Sequence, residues 1–197
     1  FAQIFSSFGI KVTIAARSTL LSNEDREVTD IVQALFENRG INVLTGVNVT
    51  KIEKKHEKKI VHYEYGHKQE SIEVEEILVA TGKIPNLDID LEKAGVKTNH
   101  RGIIVNKYLQ TSKSHIFASG DVIGPYLFTH SGEYQSAIAA TNMFSRKKIR
   151  VNYTVVPRCV FITPEVASVG MSEQKAKEQG AEKSAFYTSV SSPIFEK

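Results

Sequence analysis

Thr111-Ser112-Lys113-Ser114-His115-Ile116-Phe117-Ala118-Ser119-Gly120-Asp121-Val122 says more about architecture than any other part of this chain of 197 residues. Ile116-Phe117-Ala118 is expected to form a short buried strand that stops at Gly120-Asp121. Glycine lets a backbone pass close to a ligand, because no Cβ stands in the way. Asp121 then sets a carboxylate at the strand's carboxyl end, where α/β sheets bind their ligands. A carboxylate there suits a ribose or ribityl hydroxyl better than a phosphate, which it would repel. Alone, Gly-Asp is no more than a turn, because short motifs are weak.

Two companions change that reading. Upstream, Ile77-Leu78-Val79-Ala80-Thr81-Gly82-Lys83-Ile84-Pro85-Asn86 reads as a buried strand ending in Thr-Gly and then Pro-Asn. Gly82 would allow backbone close to a nucleotide, and Pro85 would mark the crossing out of the domain. Downstream, Tyr126-Leu127-Phe128-Thr129-His130 precedes a helix expected from about Ser131 to Phe144. ATGxxPN, then TSxxxIFAxGDV, then FTH closely resembles the pyridine nucleotide–disulfide oxidoreductases, flavoenzymes that include dihydrolipoamide dehydrogenase, glutathione reductase and mercuric reductase. The resemblance runs through nearly all of the chain, with its motifs in family order.

Composition is compatible with this and excludes other classes. The chain is 41% hydrophobic with mixed charge, as in a globular protein. A net charge of +3 is too mild to argue for nucleic acid. No apolar run approaches the roughly 20 residues of a membrane span, so no membrane partner is expected. One cysteine excludes an internal disulfide and fits a reducing compartment, so a cytoplasmic location is expected. His56, His62 and His67 lack metal-ligand grouping, and no metal site is assigned.

In chain order, Phe1, Ile4, Phe5 and Phe8 follow helical spacing and Gly9 suits the position after a helix. The chain is therefore expected to begin inside a helix, as an internal piece of a longer protein. Lys11-Val12-Thr13-Ile14-Ala15-Ala16 reads as the strand that follows. Helix then buried strand is the second half of a βαβ unit, whose first half would carry a glycine-rich phosphate loop. No GxGxxG occurs in the sequence. At the end of that strand an acid would bind the adenosine ribose hydroxyls, and an arginine would pair a 2′-phosphate. Ala16-Arg17-Ser18 has no acid, so Arg17 is the candidate 2′-phosphate ligand and NADP(H) the expected nucleotide.

Ser22 or Asn23 is placed to cap the next helix, with Glu24 and Asp25 in its first turn. Val28, Ile31, Val32, Leu35 and Phe36 form its apolar stripe, and Ile41-Asn42-Val43-Leu44 is the next parallel strand. From Val47 to Val74 alternation and polar turns predict an antiparallel meander. Leu91-Glu92-Lys93-Ala94-Gly95 reads as a short helix, and His100-Arg101-Gly102 as a turn into a strand at Ile103-Ile104-Val105. After a polar connector, residues 156–170 open a new sheet, and a helix capped near Ser172 ends at Gly180. Cys159 inside that sheet reads as a small buried hydrophobe.

The fold class is thus α/β: a Rossmann-like FAD/NAD(P)-binding three-layer fold, incomplete, plus the start of an α+β dimerisation domain. The resemblance divides the chain into residues 1–84 of an NAD(P)-binding domain, 85–150 of an FAD-binding domain and 151–197 of the dimerisation domain. It implies that Asp121 binds the flavin ribityl chain, that the backbone near Thr129 touches the flavin, and that Gly82 and Gly120 admit the cofactors. His130 is weighed as a base and set below the backbone beside it. No catalytic residue is assigned within the chain.

By resemblance the intact protein is a homodimeric FAD-dependent oxidoreductase. Hydride passes from NADPH to flavin; the flavin then reduces a cysteine pair that this sequence does not contain, and the pair reduces a small-molecule or metal-ion acceptor. Val12-Thr13-Ile14-Ala15-Ala16-Arg17-Ser18-Thr19-Leu20-Leu21 looks most like mercuric reductases, which makes Hg(II) the first expectation. An NADPH-dependent disulfide reductase and a dihydrolipoamide dehydrogenase-like enzyme are the alternatives within the family. A non-catalytic nucleotide-binding fragment is the alternative outside it.

Overall fold

A computed structural model describes residues 1–180 and 189–190. The described chain forms two compact units, one of Phe1–Val79 with the residues from Pro157 onward, the other of Ala80–Val156.

The first unit begins with helix α1, Ala2–Ser7, closed by Gly9 at φ +80°. Strand β1, Thr13–Ala16, pairs in parallel with β2, Asn42–Thr45, with Thr13 opposite Asn42 and Ala16 opposite Thr45. Helix α2, Arg26–Asn38, makes the crossover between them. It buries Val28, Val32 and Phe36 against Ile41 and the half-buried Val12, Ile14 and Val43. These residues recur every four positions on one face of the helix. Ile31, expected in the stripe, is instead more than half exposed. The expected cap at Ser22 or Asn23 is also corrected: the N-cap is Asp25, with no side-chain capping bond.

Antiparallel strands β3 (Val47–Lys55), β4 (Lys58–Tyr65) and β5 (Lys68–Val74) follow as the expected meander, in spatial order β3-β4-β5. Their two-residue connections start at His56 and Gly66, both in the left-handed region. The strand expected at 77–80 does not form, and Leu78 and Val79 are exposed. Among the described residues no strand pairs with this segment. Apolar sequence alone cannot make a strand, because its amides need a neighbour's carbonyls.

In the second unit, consecutive turns over 88–95 replace the expected helix at 91–95. Asp90 adopts φ +53°, which interrupts a right-handed run. Strands β6 (Thr98–Asn99) and β7 (Gly102–Ile103) form a short hairpin, so the strand expected through 105 ends at Ile103. The strand expected at 116–118 is corrected to a single antiparallel bridge between Gln110 and Phe117. Thr111 N–H donates to Ile116 O at 2.9 Å and Ala118 N–H to Leu109 O at 3.1 Å, and the pairing goes no further. A 3₁₀ turn at Asp121–Ile123 then leads to helix α3, Thr129–Phe144, which starts two residues before its expected position. Val96, Ile103, Leu109, Ile123, Ile138 and Ala139 form this unit's core.

The chain then returns to the first unit. Strands β8 (Arg158–Val160) and β9 (Val166–Ser168) pair antiparallel, and β10 (Ser189–Val190) extends the sheet beyond β9. Helix α4, Glu173–Glu178, is capped by the Ser172 hydroxyl, which accepts from Lys175 N–H at 3.4 Å. Cys159 lies in β8 and is partly buried. Val166, Val160 and Ile162 join the α2 core.

The carboxylates expected in the first turn of α2 serve this return instead. Asp25 Oδ1 accepts from Glu173 N–H at 3.1 Å. Glu24 accepts from the Ser168 hydroxyl at 2.9 Å and faces Arg158 Nε at 3.4 Å, its side chain only 8% exposed. Glu24→Ala is therefore expected to cost about 2–3 kcal/mol of stability, since removing one partner strands the other charge in a poorly hydrated place. Urea unfolding of the full-length protein measures it, and a loss below about 0.5 kcal/mol, the level of an exposed pair, would contradict this reading.

Candidate functional site

Gly120, Asp121 and Thr129 lie together in the second unit, at the turn and loop that lead into α3. Gly120 has φ +80° and ψ −160°, a region open to glycine and costly for other residues. Its N–H donates to Gln135 Oε1 on α3 at 2.6 Å. A Cβ at Gly120 would meet nothing within 4 Å, so the space beside this backbone is open. Asp121 follows at the start of the 3₁₀ turn, with its side chain half exposed.

Lys83, inside the ATGxxPN segment, reaches this turn. Its ammonium lies 3.1 Å from Asp121 Oδ2 and donates to Leu127 O at 3.4 Å. It thereby engages one oxygen of the carboxylate, Oδ2. Gly82, next to Lys83, is exposed at φ +113°, with open space beside it. The Lys83–Asp121 pair is too hydrated to stabilise the fold much. Lys83→Met is expected to change unfolding free energy by less than about 1 kcal/mol. A larger loss in a urea titration would mean the lysine acts structurally.

The N-terminus of α3 carries no compensating charge of its own. Its N-cap is Phe128, which has no capping group, and no acid stands in its first turn. The positive end of a helix stabilises negative charge placed against it. Ser131, in that first turn, is fully buried, and its hydroxyl has no hydrogen-bond partner. An orphaned buried hydroxyl, an uncapped helix end and a glycine with open space beside it fit a polar, partly anionic ligand such as the flavin of a dinucleotide. His130 stacks on Phe128 with ring centroids 5.3 Å apart.

Arg17 lies in the first unit, exposed at the carboxyl end of β1 beside the half-buried Ala16. Among the described residues no ion pair holds its guanidinium, which is available to an incoming phosphate. No group of three or more His, Cys, Asp or Glu among the described residues is arranged to hold a metal ion. No helix among them is long and apolar enough to cross a membrane.

Sequence reasoning missed Lys83 and Gln135. Lys83 stood at a variable position of a recognised motif; the signal was a cation within a segment expected to approach nucleotide. Gln135 carried no signal, because its partner is fifteen residues away in the chain. Gln135 Nε2 also donates to Tyr153 Oη at 3.1 Å. Burial raises the Tyr153 phenol above its ordinary pKa, although the bond from Gln135 opposes that, so the hydroxyl stays protonated at neutral pH.

Residues 156–194 match the dimerisation domain of the pyridine nucleotide-disulphide oxidoreductases. Mercuric reductase from Staphylococcus aureus is 37% identical over 182 residues, 90% of this chain and 33% of that protein. Dihydrolipoyl dehydrogenase from Bacillus subtilis is 32% identical over 179 residues, 90% of this chain and 38% of that protein. The solved HOCl-induced flavoprotein disulfide reductase RclA from Escherichia coli superposes with a TM-score of 0.79 at 31% identity, over 91% of this chain and 41% of that one. The chain thus spans about a third of the length of the curated relatives it matches. Residues 1–143 match the pyridine nucleotide-disulphide oxidoreductase family itself, and on that match the chain belongs to the pyridine nucleotide-disulphide oxidoreductases, a family that uses FAD and NAD(P)H.

Proposed function

We propose that this chain is part of an FAD-dependent NADPH oxidoreductase that passes reducing equivalents, by way of a cysteine pair outside this chain, to Hg(II). Residues 1–84 belong to its NAD(P)-binding domain, 85–150 to its FAD-binding domain and 151–197 to the dimerisation domain of a homodimer. The observation that carries the reading is the turn at Gly120-Asp121 facing the uncapped start of α3. FAD, when bound, supplies the ring that accepts hydride.

The chain's own residues bind and orient. Gly120 admits the cofactor close to the backbone. Asp121 Oδ1 accepts from ribityl hydroxyls while Lys83 holds Oδ2. The backbone N–H groups near Thr129 offer the positive helix end to the electron-rich edge of the flavin. Arg17, at the end of β1, takes the 2′-phosphate of the nicotinamide nucleotide, and Gly82 admits a ligand close to its own backbone. The single cysteine cannot make a dithiol, so the soft ligands that suit a soft metal must come from elsewhere in the protein.

Identity to mercuric reductases and the missing ribose acid beside Arg17 support Hg(II) as acceptor. A second reading, an NADPH-dependent disulfide reductase, is favoured by the likeness to a flavoprotein disulfide reductase. Thiolates exchange with disulfides as readily as they bind soft metals. The test is NADPH oxidation by the full-length protein with Hg(II), glutathione disulfide and lipoamide in turn. Hg(II) is expected to support the fastest turnover; faster turnover with either disulfide would overturn the Hg(II) reading.

A further inference from the structure

We infer that Gln135 is a positioning residue of the flavin site, holding the loop between Gly120 and α3 at both ends; this rests on the flavin reading proposed above. Gln135 lies on α3 and is completely buried. Its Oε1 accepts from Gly120 N–H at 2.6 Å. Its Nε2 donates to Tyr153 Oη at 3.1 Å. The Tyr153 ring stacks on Tyr126 with centroids 4.5 Å apart and 25° between planes. Gly120 immediately precedes Asp121, and Tyr126 stands three residues before Thr129. One buried amide therefore reaches the entry of the loop directly and its exit through one aromatic relay.

The bond directions are fixed by chemistry. A backbone N–H only donates, so the amide must turn its oxygen to Gly120 and its nitrogen to the phenol oxygen. Two further contacts hold α3 against the same turn. The Ser119 and Ser136 hydroxyls lie 3.0 Å apart, and a Cβ at Gly132 would come within 3.5 Å of Gly120 Cα. Gly120 thus keeps its rare conformation because α3 grips it from one side. The Asp121 carboxylate and the Thr129 amide inherit their positions from that grip, and Gln135 need not touch the ligand.

The test uses the full-length protein freed of flavin and titrated with FAD and, separately, with NADP⁺. Gln135→Leu fills the site and removes both bonds. It is expected to weaken FAD binding about 10- to 100-fold, because an unmade bond to a buried group is costly. Tyr153→Phe removes only the relay, with an expected loss of about threefold from one neutral hydrogen bond. The double variant should bind FAD within about twofold of Gln135→Leu alone, because coupled residues are not additive. NADP⁺ affinity should stay within about twofold in all three, and the visible circular dichroism of bound flavin should change in both single variants.

Equal weakening of both nucleotides by Gln135→Leu would mean a merely structural residue and overturn the inference. So would wild-type FAD affinity in that variant, or single losses that multiply in the double. If Gln135→Leu does not fold, Tyr153→Phe decides, and unchanged FAD affinity and spectrum would overturn the inference. A wild-type protein that takes up no FAD would instead overturn the flavin reading, and the inference with it.

Discussion

Replacing Arg17 with glutamate is expected to lower kcat/KM for NADPH about 100-fold in the full-length enzyme, while kcat/KM for NADH changes less than about threefold. Charge-assisted hydrogen bonds from a guanidinium to a phosphate are each worth about 1.5–3 kcal/mol, and about 2.7 kcal/mol is a factor of 100. Arg17 lies exposed where β1 ends, with no acid on either side. Reversing its charge both removes those bonds and repels the dianion. NADH has no 2′-phosphate to lose, and a carboxylate there can accept from its ribose hydroxyls. Steady-state rates with the two nucleotides measure the switch. Equal losses for both, or a wild-type enzyme that prefers NADH, would show that Arg17 does not read the phosphate.

Gly102→Ala is expected to destabilise the protein by about 2–6 kcal/mol, from about 1–3 of backbone strain and about 1–3 of overpacking. Gly102 adopts φ +133°, and a Cβ there would lie 2.1 Å from Val122 O and 3.3 Å from Ile123 Cα. These are backbone atoms, so no side chain can swing aside. The clash falls on the 3₁₀ turn that begins at Asp121, so flavin retention should fail along with stability. Gly66→Ala is the control. Gly66 also has positive φ, at +61°, but open space around it, and only about 1 kcal/mol of conformational cost is expected. Urea unfolding of both variants separates the steric cost from the conformational one. Equal small losses would mean that β7 does not press on the Asp121 turn as the structure has it.

The parts of the fold legible from sequence were those set by local periodicity. The α2 stripe, apart from the exposed Ile31, the parallel strands it joins and the alternating meander formed where their patterns lay. The failures were features that depend on distant partners. Residues 77–80 are as apolar as any strand in the chain, yet they meet no neighbouring ladder among the described residues. Residues 116–118 find two hydrogen bonds from 109–111 and stop at a bridge. Asp25 looked like a first-turn acid of α2, but it is the N-cap and gives its carboxylate to an amide of α4, 148 residues away. The site divides the same way. Gly120, Asp121 and Thr129 were marked by a motif that lies within one stretch. Lys83 meets Asp121 across 38 positions and Gln135 meets Tyr153 across 18, and only the folded chain brings them together.

The most direct test of the account is the visible absorption spectrum of the purified full-length protein, recorded before and after anaerobic addition of NADPH. A flavin spectrum at about one FAD per polypeptide, bleached by NADPH much faster than by equal NADH, is the predicted result. A colourless protein that takes up no added FAD would contradict the assignment of the Gly120-Asp121 turn and the start of α3 to flavin.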